Sequence, residues 1–240
     1  MVGLAKSGFL SGFGAVATPL LAMVVPVPQA AAILLPLLIV MDITSVQQLW
    51  RDRDADLLKL LVPAGLLGTV VGTALFSLVS VAVVECLVGA LTLLFLLQRL
   101  WGKAPSPEAA LPSQPLQRRW LGRCLALTSG FTSFVAHAGG PPLTAYVLPL
   151  KMQPIRVVAT MAVFFSFINA SKILPYAWLG LLDGRNLLTS LVLAPVAPLG
   201  VWLGVWLSRR ISASGFYRIA YLGMALTGGK LLWDGARHLV

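Results

Sequence analysis

The sequence predicts an all-α membrane protein that crosses the bilayer several times and contains two repeats of four apolar segments. The first observation is composition: of 240 residues, 58% are hydrophobic and only 11% are charged, and the mean hydropathy is +0.88. Soluble domains carry about a quarter charged residues and need polar faces on their surface helices. The second is that several continuous runs approach the ~20 apolar residues that a membrane-spanning helix needs, without the two-residue alternation of a transmembrane barrel. The third observation is a motif that occurs in both halves of the chain.

Eight apolar segments fall into two sets of four, separated by a linker rich in proline and charge. The first set is Gly8–Val25, Gln29–Trp50, Leu57–Val79 and Val81–Trp101. The second set is Leu121–Leu150, Pro154–Leu182, Asn186–Ser208 and Phe216–Arg237. We therefore divide the chain into a first membrane repeat (1–101), a linker (102–120) and a second membrane repeat (121–240).

The duplicated motif opens each half. Ser129–Leu150 reads SGFTSFVAHAGGPPLTAYVLPL, and Ser7–Leu20, SGFLSGFGAVATPL, repeats its opening, its small residues and its proline. A regular helix cannot continue through the Gly-Gly-Pro-Pro run at Gly139–Pro142. In lipid, protein or a water-lined cavity must satisfy the backbone groups that such a break exposes. Broken helices of this kind form the binding sites of secondary transporters.

The third segment of each half contains a Gly-x-x-x-Gly pair after a proline. The pairs are Gly68 with Gly72 and Gly200 with Gly204. Each pair lies on one helix face and allows a neighbouring backbone to approach closely. We interpret both pairs as structural and as a further sign of internal duplication.

The distribution of basic residues distinguishes two topologies. If all eight segments cross, the basic residues of the second half are poorly separated between the two sides. If the first segment of each half is instead a broken, re-entrant hairpin, one side holds the linker cluster together with Arg51, Arg53, Lys59, Lys151, Arg156, Arg209, Arg210 and Arg218. Each half then has three full crossings, and the halves are inverted. We favour this second topology, in which cytoplasmic loops account for the net charge of +10 without a nucleic-acid partner.

Polar residues within the second and sixth segments indicate a shared cavity, because such groups are costly in lipid and usually face a bundle interior. Asp42 and Ser45 lie in the second segment; Asn169, Ser171 and Lys172 lie in the sixth. Aligning the halves places Asp42 opposite Asn169 and Ser45 opposite Lys172. Equivalent helices therefore carry polar groups at the same depth, as expected if both line one cavity on a pseudo-symmetry axis.

Three ionisable residues are candidates for chemistry, and each has a structural alternative. Lys172 is a candidate anion ligand; it could instead snorkel to an interface or pair with Asp42. His137 is a candidate anion ligand or proton carrier, and a hydrogen bond to the backbone is the alternative. Asp42 could carry a coupling proton; the alternative is that it caps a helix or forms an ion pair.

The small-residue runs Gly12–Thr18 and Ala136–Gly140 supply the rest of the candidate site. A half-helix that begins after each break would present backbone N–H groups and a positive dipole end to an anion, and glycine would allow close approach. The complete candidate substrate-binding set is Lys172, His137, Gly139, Gly140, Ser133, Ser11, Gly14, Thr18, Asn169 and Ser171.

The paired S-G-F-x-S openings resemble a known family. Each precedes an apolar stretch and a proline-led second helix, Pro28-Gln29-Ala30 and Pro154-Ile155-Arg156. Together with the Gly-x-x-x-Gly helices, this pattern is similar to that of the sulfite exporter TauE/SafE family of bacterial permeases. The resemblance covers nearly the whole chain outside the linker, and it implies transport of sulfite, sulfonates or sulfoacetate across a bacterial inner membrane. Where members often show a Gly-Gly-Gly run, this chain has GFGAVATP and VAHAGGPP, which alters the anion-facing backbone.

We therefore predict a secondary transporter of a small anion that works by alternating access in the lipid bilayer. An anion channel and a non-transporting membrane scaffold are the alternatives. An intramembrane enzyme is disfavoured, because the chain has no Gly-x-Ser-x-Gly elbow and no His-Glu-x-x-His motif. No catalytic residue, metal site or cofactor is expected, and Cys86 and Cys124 are too far apart in sequence for a metal motif. The direction of transport, proton coupling and homo-oligomerisation are left open.

Overall fold

The computed structural model describes residue 25 and residues 27–76, 78, 80–101 and 115–239. Within these residues the chain forms nine α-helices and no β-strand. The helices are α1 Val27–Leu49, α2 Ala55–Leu75, α3 Val81–Trp101, α4 Pro115–Ala136, α5 Gly140–Val147, α6 Pro154–Trp178, α7 Gly184–Leu193, α8 Val196–Arg210 and α9 Ala213–Leu239. Short 3₁₀ turns, Trp50–Asp52 and Leu148–Leu150, follow α1 and α5.

The helical membrane class is confirmed. In the described part of the chain, three helices are long and apolar enough to cross a bilayer: Gln29–Asp52, Ala55–Leu75 and Pro154–Trp178. Val81–Leu94 and Pro198–Leu207 are shorter apolar stretches. The predicted segment Gly8–Val25 lies outside the described residues apart from its last residue.

One predicted segment was wrong. The segment Asn186–Ser208 is two helices, because Pro195 has no N–H to donate to the preceding turn and its ring clashes with that turn. Helix α4 begins at Pro115, within the stretch 102–120 that we predicted as the linker. Proline suits this position because the N–H that it lacks would have no partner in the first turn of a helix.

The main helix pairs join the two halves of the chain: α2 packs against α4, α3 against α9 and α1 against α6. The contact between α2 and α4 is made by backbone. A Cβ at Gly68 would lie 2.0 Å from the carbonyl oxygen of Leu127, and one at Gly130 would lie 1.9 Å from that of Gly65. The close helix approach predicted from Gly68 is thus confirmed.

Helices α1 and α6 run antiparallel, since the end of α1 lies beside the start of α6. The backbone N–H of Asp54 donates to Thr160 Oγ1 at 2.9 Å, and the Asp54 carboxylate pairs with Arg156 at 3.2 Å. Asp52 pairs with Arg209, at the end of α8, at 2.8 Å. These contacts gather the α1–α2 junction, the start of α6 and the end of α8 at one end of the molecule, which we call the arginine end.

Candidate functional site

The site is organised by a hairpin of α4 and α5, broken at its tip. Helix α4 ends at Ala136, His137 adopts a left-handed conformation with φ of 52°, and α5 begins at Gly140. A left-handed residue often ends a helix, although glycine is the usual one. At the other end of the hairpin, the ring of Tyr146 packs against Gly122, so α5 runs back beside α4. The break was predicted at Gly139–Pro142; it lies at residues 137–139, and the prolines start α5.

Hydroxyl side chains satisfy the carbonyl groups that the break exposes. Ser129 Oγ donates to the Gly139 carbonyl at 2.6 Å, and Thr132 Oγ1 lies 3.2 Å from that of Ala138. The Tyr176 hydroxyl, on α6, donates to the Phe134 carbonyl at 2.9 Å. These three hydroxyl residues were not among the predicted site residues. Ser129 and Thr132 could have been recognised in the sequence as donors to the break, because they lie on α4 one to two turns before it.

Replacing Ser129 by alanine is expected to destabilise the protein by about 1–3 kcal/mol, because the buried Gly139 carbonyl loses its donor. Thermal unfolding in detergent measures the change. The matched control is Ser171→Ala, since the Ser171 hydroxyl donates to the Ile168 carbonyl of its own helix and makes no hydrogen bond to the hairpin in the described part of the chain. Equal Tm values for the two variants would contradict this role for Ser129.

Lys172 is the centre of the site. Its side chain extends from α6 to the hairpin and is 0% exposed. The ammonium Nζ donates to the Ser133 carbonyl at 2.7 Å and the Ser133 hydroxyl at 2.8 Å. It also donates to Asn169 Oδ1 at 3.1 Å and lies 3.3 Å from His137 Nδ1. Full burial contradicts the snorkelling alternative, in which the ammonium would reach an interface.

The imidazole of His137 connects the hairpin tip to α1. Nε2 lies 3.2 Å from the carbonyl oxygen of Ala31, and Nδ1 lies 3.0 Å from that of Ser133. A carbonyl can only accept, so each of these contacts is a hydrogen bond only when the ring nitrogen that faces it carries a proton, and a neutral imidazole has one such proton. With the proton on Nε2, His137 donates to Ala31, and Nδ1 accepts from Lys172. The backbone contacts considered as the alternative for His137 are therefore present, together with a contact to Lys172.

Asp42 joins the cluster through Asn169. The Asn169 amide Nδ2 donates to Asp42 Oδ2 at 2.8 Å, while its oxygen accepts from Lys172. Asp42 and Asn169 are 4% and 2% exposed. The two residues placed opposite one another by the repeat alignment thus touch directly. Asp42 also lines a surface groove of about 370 Å³ between α1 and α6, with Gln47 and Ser166 among its other polar residues.

The structure brings together five predicted residues: Asp42, Ser133, His137, Asn169 and Lys172. Ser171 directly precedes Lys172 on α6 and is half-buried, and its hydroxyl donates to the Ile168 carbonyl. Gly139 and Gly140 are buried in the hairpin, and a Cβ at Gly139 would lie 2.5 Å from the Ser129 carbonyl oxygen. Packing therefore requires glycine at position 139. Ser11, Gly14 and Thr18 lie outside the described residues.

Comparison with known proteins agrees with this architecture. The family model described as sulfite exporter TauE/SafE matches residues 1–231. No curated protein and no solved structure matches the chain. The family match spans nearly the whole sequence, including the broken hairpin and the helix that carries Lys172, and membership in a family of exporters implies a membrane permease of sulfur-containing anions. The chain belongs to the sulfite exporter TauE/SafE family.

Proposed function

We propose that the protein is a secondary transporter that moves sulfite, a small sulfonate or a related sulfur-containing anion across a bacterial inner membrane. The observation that carries this proposal is the fully buried ammonium of Lys172, held at the break of a helical hairpin. An ionisable group buried in a membrane segment marks a functional site by default. This protein is not proposed to catalyse a reaction.

The chemistry around Lys172 suits an oxyanion. The ammonium supplies the positive charge, and the Ser133 hydroxyl, within hydrogen-bond distance of it, can donate to an anion. Asn169 presents its oxygen to Lys172 and donates through Nδ2 to Asp42. In the present arrangement these groups bond one another. An arriving anion would replace the Ser133 and Asn169 acceptors of Lys172 by its own oxygens, which are stronger acceptors because they are charged.

We further propose that the two repeats are inverted and that the first segment of each is re-entrant. Two observations support this. The hairpin α4–α5 returns to its starting end, as the contact of Gly122 with Tyr146 shows. The pairs Asp52–Arg209 and Asp54–Arg156 place basic residues of both halves at the arginine end. Eight full crossings would instead separate the α1–α2 junction from the start of α6.

Alternating access would use the crossing of α1 and α6. The groove that includes Asp42, Gln47 and Ser166 approaches the cluster from the surface between these helices, whereas Lys172 itself is enclosed. If α1 and α6 moved apart along this groove, a path past Asp42 would connect Lys172 to one side of the membrane. Proton coupling through Asp42 or His137 and homo-oligomerisation stay predictions.

One observation favours a second candidate, a non-transporting scaffold. Lys172 already has acceptors from Ser133 and Asn169, so it also stabilises the hairpin break. A purely structural lysine would have the same contacts. The two candidates differ in flux, which only a transporter supports.

The function is tested with the full-length protein in proteoliposomes. We expect saturable uptake of labelled sulfite or of a small labelled sulfonate, and accelerated uptake when the vesicles contain the unlabelled anion. Such counterflow requires a carrier, whereas a channel gives flux without trans-stimulation. Flux of neither anion above that of protein-free vesicles, with or without a pH gradient, would contradict the proposed function.

A further inference from the structure

A second set of ionisable side chains lies between α3 and α9, away from Lys172. Lys230 Nζ binds both carboxylate oxygens of Asp234, at 2.5 and 2.6 Å. Glu85, in the second turn of α3, is 3% exposed and makes no hydrogen bond within the described part of the chain. Its carboxyl interacts electrostatically with Asp234 and Lys230. Among the described residues, two carboxyl groups therefore share the charge of one ammonium.

The backbone contacts of α3 and α9 fix this cluster in place. A Cβ at Gly235 would lie 2.6 Å from the Ala82 carbonyl oxygen, and one at Gly89 would lie 2.6 Å from the backbone nitrogen of Leu232. These contacts lie on either side of Glu85 along α3. Glu85 therefore lies on the stretch of α3 that packs closely against α9, where it is 3% exposed.

The charge balance of the cluster changes with one proton. With Lys230 charged and both Glu85 and Asp234 ionised, the cluster has a net charge of −1 in a buried place. A buried carboxylate without a hydrogen-bond donor is costly. Protonation of Glu85 makes the cluster neutral and removes that cost, while Asp234 keeps its ion pair with Lys230.

The cluster has a route to the surface. The side chain of Lys230 is 33% exposed and that of Asp234 is 12% exposed, whereas Glu85 is 3% exposed. Exposure thus falls stepwise from Lys230 to Glu85. The cluster lies at the end of α3 opposite Trp101 and the linker, so this route opens away from the arginine end.

On α9, Arg237 and His238 follow Asp234 within about one turn, and the Arg237 guanidinium lies 5.6 Å from the centre of the Trp233 ring. In the described part of the chain, the charged or titratable groups of α4 and α5 lie elsewhere. Helix α4 carries Arg118, Arg119 and Arg123 in its first turns, at the opposite end from Phe134 and Val135, and Cys124 follows them. Tyr146 is the titratable residue of α5 and packs against Gly122, in those same turns of α4. His137, at the hairpin tip, has its ring nitrogens beside the carbonyl oxygens of Ser133 and Ala31.

Packing connects the Glu85 region to the hairpin tip. Val84, adjacent to Glu85, and Val88 belong to one buried cluster with Phe134, Ala136 and Ala138. These last residues flank His137 and the break. A change in how α3 packs at Glu85 therefore reaches the backbone that holds Lys172.

We propose that Glu85, Asp234 and Lys230 form a proton-binding site between α3 and α9, separate from the Lys172 cluster, and that proton binding there drives anion movement. The proton-binding part stands on the geometry of this cluster alone. The coupling part rests on the proposed function.

Proton binding is tested without any transport assay, by labelling the purified full-length protein with dicyclohexylcarbodiimide. This apolar reagent adds to protonated carboxyl groups, and mass spectrometry locates the adduct. We expect Glu85 to be labelled, and labelling to fall about tenfold for each pH unit above its titration midpoint. Glu85→Gln should remove the adduct and Glu85→Asp should keep one. Absence of a Glu85 adduct at any pH would overturn the proposal.

Coupling is tested by anion flux in proteoliposomes with and without a pH gradient. We expect Glu85→Gln to keep anion exchange at equal pH and to lose the acceleration that a gradient gives to the wild type. The control is Asp56→Asn, which removes a carboxylate that is 92% exposed; it should respond to the gradient like wild type. An unchanged gradient response in Glu85→Gln would overturn the coupling part. Absence of wild-type flux would refute the proposed function, and the carbodiimide labelling would still decide proton binding.

Discussion

Replacing Lys172 by methionine is expected to reduce anion flux to the level of protein-free vesicles. Methionine has nearly the length of the lysine side chain but has no charge and no donor. The variant therefore removes the positive charge of the cluster and leaves an apolar group facing Ser133 and Asn169. An anion entering this site would lose its water without gaining a charged partner, which is costly in a buried environment. Initial rates of sulfite and sulfonate uptake measure the effect.

The control for this variant is Lys59→Met. The side chain of Lys59 is 78% exposed and pairs with Asp56 on the surface, a kind of contact worth about 0–1 kcal/mol. Flux through Lys59→Met should equal that of the wild type. Unfolding curves of both variants in detergent separate loss of function from loss of fold. A folded Lys172→Met protein with wild-type flux would exclude Lys172 from the anion site.

Replacing Gly130 by alanine is expected to destabilise the protein by about 3 kcal/mol or more, among the largest effects of a single methyl group. The new Cβ would lie 1.9 Å from the Gly65 carbonyl oxygen, far inside van der Waals contact. Backbone on α2 cannot rotate aside as a side chain can, so α2 and α4 must separate. The melting temperature in detergent and the monodisperse fraction after heating measure the loss.

Gly229→Ala is the matched control for the helix propensity of alanine. Gly229 lies inside α9, and nothing lies within 4 Å of a Cβ built there. Alanine favours a helix by about 1 kcal/mol over glycine, so this variant should be as stable as the wild type or more stable. If Gly130→Ala and Gly229→Ala had equal melting temperatures, the close contact of α2 with α4 would be wrong.

The sequence allowed the helices to be predicted because length and hydropathy alone decide what spans a bilayer. The alignment of the two halves also placed Asp42 and Asn169 at equivalent positions, and their side chains are hydrogen-bonded in the structure. The position of the break could not be read with the same accuracy. Two prolines suggested an interruption at their own position, but proline is well tolerated in the first turn of a helix, and His137 takes the left-handed conformation instead.

Contacts between distant helices could not be predicted from the pattern of residues. Nothing in the spacing of Ser133 and Lys172 indicates that the hydroxyl and the ammonium lie 2.8 Å apart. That distance follows from the angle at which α6 crosses the hairpin. The role of Tyr176 as donor to the Phe134 carbonyl depends on the same crossing. Ser129 was within reach of prediction, because a hydroxyl near a helix break often bonds an exposed carbonyl.

The pairing of helices across the two halves has a consequence for how the protein is made. Helices α1, α2 and α3 leave the ribosome first, whereas their partners α6, α4 and α9 are synthesised later. Asp42 and Glu85 therefore enter the membrane before Asn169, Lys230 and Asp234 exist. A chain shortened after residue 101 would hold these carboxyl groups in lipid without the side chains that surround them in the complete protein. The newly inserted first half is thus a natural substrate for membrane quality control until the second half arrives.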